Sequence, residues 1–145
     1  MSEPLYTRDI LRLAVSIPHQ QRLKSPDGSA ELRSRTCGSV VAADVMIAED
    51  GVLVNIGWSI SACALGQASA AILGAEAIGR TATDIVVART GLQAFFDGKA
   101  ASPGELQNMD KLIAAKDHQG RHAAILLPYD ALIAALADAA KRKAA

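Results

Sequence analysis

"VVAADVMIAEDGVLVNIGWSISACALGQASAAILG", Val40 to Gly74, decides the architecture, because the period of its apolar residues changes once along its length. Val41, Ala43, Val45 and Ile47 alternate with less apolar neighbours, and Val52, Val54, Ile56 and Trp58 do so again. Period two marks half-buried strands. The run "AEDG", Ala48 to Gly51, predicts a hairpin connection between them. After Cys63 the alternation stops. The following residues contain no proline, many alanines, and apolar or small side chains nearly all round, which predicts a helix packed on several sides.

Working outward, "SAELRSRT", Ser29 to Thr36, reads as a further strand and completes an antiparallel meander of three. Upstream, Thr7 can cap a helix carrying Ile10, Leu13, Ala14 and Ile17 at helical spacing, with Pro18 as its stop. "HQQRLKSPDGSA" is a polar loop with a Pro-Asp-Gly turn. Downstream, "RTATDIVVARTGLQAFFDGK" reads as two short helices broken near Thr90 and Gly91. A Ser-Pro-Gly loop then leads to a short amphipathic helix with Leu106, Met109, Leu112 and Ile113. "LPYDALIAALADAAKRK" is the last helix, with Pro128 in its first turn and Leu132, Leu136, Ala139 and Lys143 on one face. Strands followed by helices predict an α+β fold, one domain over residues 1–145: a three-stranded antiparallel meander packed against several helices, with an N-terminal helix and a long C-terminal one.

The 145 residues suit a domain of common size, and half of them are hydrophobic, enough for a core built of Ala, Leu, Ile and Val. Fifteen basic side chains balance fifteen acidic ones, so the charge gives no reason to expect nucleic acid or an anionic membrane as partner. No apolar run reaches the roughly 18–20 residues that span a bilayer, the longest being Ala62 to Ala75. "MSEPLYTRD" lacks the basic-then-apolar pattern of a signal peptide. Two cysteines without such a signal predict free thiols and a cytoplasmic location. "KRKAA" at the end reads as a solvated tail that complements the helix dipole.

The two cysteines are Cys37, in "TCGS", and Cys63, at the change of period. Ser61 is a candidate N-cap, which would put Cys63 in the first helical turn, where free N–H groups stabilise a thiolate. Gly38 permits backbone conformations that bring a bound atom close. A meander can bring Cys37 and Cys63 together. On spacing alone, two inert core thiols and half of a metal site both stand. Zinc and simple iron–sulfur clusters take about four ligands. His122 is the leading candidate for a third, followed by His118 and His19, while Asp44 reads as a solvated strand residue.

The motifs "TCGS", "CALGQASAAIL" and "RHAAILLPYDAL", in that order around a hairpin, resemble the iron–sulfur cluster assembly scaffold family of the NifU N-terminal, IscU and SufU type. The likeness runs from "LYTRDIL" to the final helix, and "TGLQAFFDGKAASPGELQNMDKL" is similar to the extra segment of the SufU-like branch. Members typically hold three cysteines and one aspartate around a metal. The resemblance places the first two cysteines on Cys37 and Cys63, the aspartate position on Ser39 and the third cysteine position on Ala123. His122 falls where IscU-type members carry a histidine. The chaperone-recognition stretch of that branch has no counterpart.

The resemblance implies a scaffold rather than an enzyme. Cys37 and Cys63 would hold a labile cluster of the 2Fe-2S kind, or zinc or iron, with His122 as a third metal ligand and Cys63 as the better sulfur acceptor. A purified protein without metal is compatible with that set. The implied partners are a cysteine desulfurase and acceptor apo-proteins, and a homo-oligomer is left open. Two other readings stand beside it: a metal-free module of the same fold that binds a desulfurase, and a zinc-dependent SufU-like sulfurtransferase.

Overall fold

The computed structural model describes residues 5–144; Met1–Pro4, on which the signal-peptide reading partly rests, and Ala145 of the basic tail lie outside them. Helix α1 (Arg8–Ala14) starts where Thr7 predicts, its hydroxyl accepting from the Ile10 N–H at 3.2 Å. It stops well before Pro18, and Ile17 reaches the core from the segment beyond it.

Strands β1 (Gly28–Arg33), β2 (Val40–Ile47) and β3 (Leu53–Ser61) form one antiparallel sheet in the order β1-β2-β3, the expected meander. Val41, Ala43, Val45, Ile56 and Trp58 share its buried face through the pairs Val45↔Ile56 and Ala43↔Trp58. The phase expected at the start of β3 is wrong. Met46 pairs with Asn55 but Ile47 pairs with Leu53, so Val54 is an extra, bulged residue. Val54 is therefore exposed, and Leu53 takes the core position assigned to its neighbours.

Asp44 also departs from expectation. It is 2% exposed, because residues 18–23 run along the β3 edge and fold over the other sheet face. The Pro18 carbonyl accepts from Trp58 Nε1 at 2.8 Å, and the His19 carbonyl accepts from the Trp58 N–H at 2.9 Å. Arg22 then meets Asp44 in a two-pronged ion pair of 2.6 and 2.8 Å, and the Leu23 N–H and the Ser29 hydroxyl donate to the same carboxylate. A buried carboxylate needs such partners to stay charged.

Four helices complete the fold: α1, α2 (Ala64–Glu76), α3 (Ala82–Phe96) and α4 (His122–Ala144). The proposed break at Thr90–Gly91 is absent. A capping box at Thr81 and Asp84 starts α3 firmly, and one glycine costs a helix only about 1 kcal/mol. The short helix after the Ser-Pro-Gly loop is a 3-10 helix, Met109–Ala115, with Met109 and Leu112 buried and Ile113 exposed.

The last helix begins earlier than the sequence suggests, at His122, so Pro128 lies in its interior. Proline there removes the N–H that would bond the Ala124 carbonyl. That carbonyl lies against α2: a Cβ on Gly66 would come within 3.1 Å of it. In the next position, the buried Ser69 hydroxyl donates to the Ile125 carbonyl at 2.5 Å. The stretch Gln119–Ala144 is long and apolar enough to cross a membrane, which corrects the reading that no run qualifies; most of it is buried in the fold. It packs tightly on the sheet at Gly28, where a Cβ would fall 2.3 Å from the Ala139 nitrogen.

Candidate functional site

Antiparallel pairing fixes where the thiols lie. Val40 pairs with Ser61 at one end of the sheet. Cys37 stands three residues before the first, and Cys63 two residues after the second, so both belong to that end. The starts of α2 and α4 meet there too, through Gly66 and Ala124.

Cys37 sits in the β1–β2 connection, residues 34–39, which closes through the Ser34 N–H donating to the Ser39 carbonyl at 2.8 Å. Gly38 has φ of 71°, the left-handed conformation that glycine adopts without strain. The loop presents Cys37 to solvent while burying the two serines that flank it. Cys37 Sγ lies 3.3 Å from Ser34 Oγ and 3.0 Å from Ser39 Oγ. These hydroxyls can turn their protons toward a thiolate. Ser34 first, then Ser39, with help from the Ser39 N–H and the Arg121 charge, hold the Cys37 thiol below its ordinary pKa against an opposing effect of partial burial. Ser39 occupies the expected aspartate position and serves here as a hydrogen-bond partner of the sulfur.

Cys63 is half-buried and packs against the core. It is itself the N-cap of α2, with φ −64° and ψ 169°, and its carbonyl accepts from the Gln67 N–H. This corrects the assignment of the cap to Ser61, which is the last residue of β3. The side chain makes no capping hydrogen bond, so its sulfur is not committed to the helix.

His122 opens α4 with its ring stacked on Phe96, centroids 3.9 Å apart and planes 5° from parallel. Its Nε2 lies 2.8 Å from the Ala115 carbonyl. A carbonyl only accepts, so that nitrogen carries a proton, and in the neutral ring Nδ1 keeps the free lone pair. Histidines that bind metals commonly have their second nitrogen held this way. Ala123, the expected third-cysteine position, is exposed. His118 caps a 3-10 turn before α4, and His19 lies in the segment along the β3 edge.

Among the described residues, no group of three or more His, Cys, Asp and Glu side chains is arranged to hold a metal ion. The chain's own donors at this end are two thiols, half of what a four-coordinate ion takes.

Beside Cys37 opens a cleft of about 430 Å³, walled by Arg33, Ser34, Arg35 and Thr36 on one side and by the first turns of α4 on the other. Arg89 and Asp130 pair across its edge at 2.9 Å. The sequence reading missed this cleft and Ser34, and gave Ser39 only as the aspartate position. The signal available was the hydroxyl pattern S-x-x-C-x-S with arginines on both sides of Ser34.

An α+β fold with a three-stranded meander, helices on one face and two free thiols at one end defines the class of protein. No family model and no curated protein matches the chain. Solved structures do. The chain is 29% identical to the N-terminal part of a nitrogen-fixing NifU-like protein from Brucella abortus, with a TM-score of 0.87 over 94% of this chain and 95% of that one. A putative iron–sulfur cluster assembly scaffold protein for the SUF system, from Fervidobacterium islandicum, shares the fold at 20% identity and a TM-score of 0.82, over 91% of this chain and 96% of that one. These likenesses support the resemblance to the NifU N-terminal, IscU and SufU family read from the sequence, and the chain brings two cysteines to that fold.

Proposed function

We propose that the protein is an iron–sulfur cluster assembly scaffold that holds iron and a nascent cluster on Cys37 and Cys63 and passes it to acceptor proteins in the cytoplasm. The observation that carries this reading is the pair of free thiols at one end of a NifU-like sheet. Two protein thiolates leave the remaining ligand places to outside groups, and the cargo is correspondingly easy to release. His122 can join as a third ligand through Nδ1 only by a movement that brings it to the two thiols, since the three are not grouped in the structure.

Sulfur arrives from a cysteine desulfurase. We assign the accepting role to Cys37 rather than Cys63, because it is exposed and its sulfur lies within hydrogen-bond reach of two hydroxyls, at 3.3 and 3.0 Å. The Cys37 thiolate attacks the terminal sulfur of the donor's persulfide. A new S–S bond forms on Cys37, the donor's S–S bond breaks, and the donor's thiolate leaves with the electron pair.

Anaerobic reconstitution with ferrous iron and sulfide tests the reading. Visible absorbance with a defined iron-to-protein ratio is expected, and it should be lost in both Cys37→Ser and Cys63→Ser. Absorbance that persists in the double variant, or never forms, refutes it. The want of a third protein ligand favours one alternative, a metal-free module that binds the desulfurase. Capture of a desulfurase by the double cysteine variant, with no reconstitution of the parent protein, would select it.

A further inference from the structure

The cleft next to Cys37 has a charge and a shape that the cluster reading leaves unused. Its volume of about 430 Å³ lies in the range of small-molecule sites. One wall carries Arg33 and Arg35, both exposed and without an ion-pair partner among the described residues. Arg89, by contrast, is neutralised by Asp130. The facing wall sets the aliphatic Ala123, Leu126 and Leu127 among the polar Gln93, His122 and Asp130. Two free guanidinium groups opposite a wall of mixed aliphatic and polar character suit a molecule with a carboxylate at one end and a short body that is part apolar and part hydrogen-bonding. A bare inorganic anion would leave the aliphatic part of that wall wet.

The cleft also adjoins the sulfur. Ser34 lines it and touches Cys37 Sγ at 3.3 Å. His122 and Ala123 line it too, so it spans the position where a third cysteine would stand. The chain itself offers no third thiol there.

We infer that the cleft between the 34–39 loop and the start of α4 seats a small carboxylate-bearing thiol, held by Arg33 and Arg35, whose sulfur completes the ligand set begun by Cys37 and Cys63. The ligand role rests on the cluster reading above, whereas the seating does not.

Calorimetric titration of the reduced, metal-free protein tests the seating, with reduced glutathione as the probe. Saturable binding is expected, weakened at least tenfold in the double variant Arg33→Ser, Arg35→Ser. Trp58 fluorescence checks that the variant stays folded. 2-Mercaptoethanol, a thiol without a carboxylate, and inorganic phosphate should not saturate over the same range. No glutathione binding, binding indifferent to the two arginines, or equal binding of phosphate overturns the inference.

Reconstitution with glutathione or with 2-mercaptoethanol as the added thiol then tests the ligand role. A more stable cluster with glutathione, an advantage lost in the arginine variant, supports it. A cluster equally stable with either thiol overturns the ligand role and leaves the scaffold reading standing. Glutathione binding with no cluster under any condition overturns the scaffold reading and the ligand role together, and leaves the seating.

Discussion

Gly66 lies in the first turns of α2, three residues after Cys63, and a single methyl added there tests how tightly the thiol end is built. A Cβ on Gly66 would stand 2.8 Å from the Ala62 Cβ and 3.1 Å from the Ala124 carbonyl. Carbon atoms rest at about 3.5–4.0 Å, so the first contact is short by about 0.7–1.2 Å. Neither neighbour is the far end of a flexible side chain, so the start of α2 must move from α4. Overpacking of this kind costs about 1–3 kcal/mol. Replacing glycine by alanine inside a helix returns about 0.5–1 kcal/mol. At the middle of those ranges, Gly66→Ala is expected to lose about 1 kcal/mol, or about 3 °C in Tm for a chain of this size. Gly91, in the middle of α3, has nothing within 4 Å of its would-be Cβ. Gly91→Ala should therefore gain about 0.5–1 kcal/mol. Urea unfolding followed by Trp58 fluorescence measures both. The same substitution is expected to have opposite signs in two helices. A Gly66→Ala protein as stable as the parent, or a Gly91→Ala protein clearly less stable, refutes the packing argument.

Three further outcomes are expected. The pKa of Asp44 is held down chiefly by its hydrogen bond from Arg22, so the stability it contributes is present above the unfolded carboxylate value of about 4 and is lost as pH falls through its lower folded value. Asp44→Asn should lose about 1–3 kcal/mol at pH 7 and show a flatter acid limb in pH-dependent urea unfolding. Burial, with a smaller push from Glu76, raises the pKa of Tyr129, whose hydroxyl is buried with no partner among the described residues. Its contribution is complete below the unfolded tyrosine value of about 10 and declines as pH rises beyond it; Tyr129→Phe should remove that alkaline slope and leave neutral stability unchanged or higher by up to about 1 kcal/mol. Ser34→Ala with Ser39→Ala should raise the Cys37 pKa and slow its alkylation by iodoacetamide at pH 7 several-fold, read by mass spectrometry, while Cys63 modification stays unchanged.

The parts of the fold legible in the sequence are those where a local pattern and its tertiary environment agree. The period-two residues of β2 and the alanine-rich run of α2 are such cases. Readings failed where a distant element decided the outcome. Asp44 looks solvated until residues 18–23 deliver Arg22 over it. Val54 looks like a core residue until the pairing with β2 inserts a bulge. Pro128 looks like a helix start because nothing nearby reveals that α4 begins at His122 and packs its loosened turn against Gly66 and Ser69. At the site, Cys37 and Cys63 could be named because cysteine is rare in the chain. The roles of Ser34, Ser39, Arg33 and Arg35 depend on a loop conformation and a cleft wall, which no spacing rule reports.

The crossing of residues 18–23 over β3 has one more effect. An unpaired outer strand is a template on which a second chain can grow a ladder, and Trp58 lies in the middle of this one. By giving the Trp58 amide and indole their partners from within the same molecule, the Pro18 and His19 carbonyls deny that rung to any stranger. The opposite margin of the sheet has its own guard, since the Ser29 amide on β1 donates to Asp138 of the last helix. A protein with an exposed thiol at one tip thus has both margins of its sheet guarded from within against uninvited polymerisation.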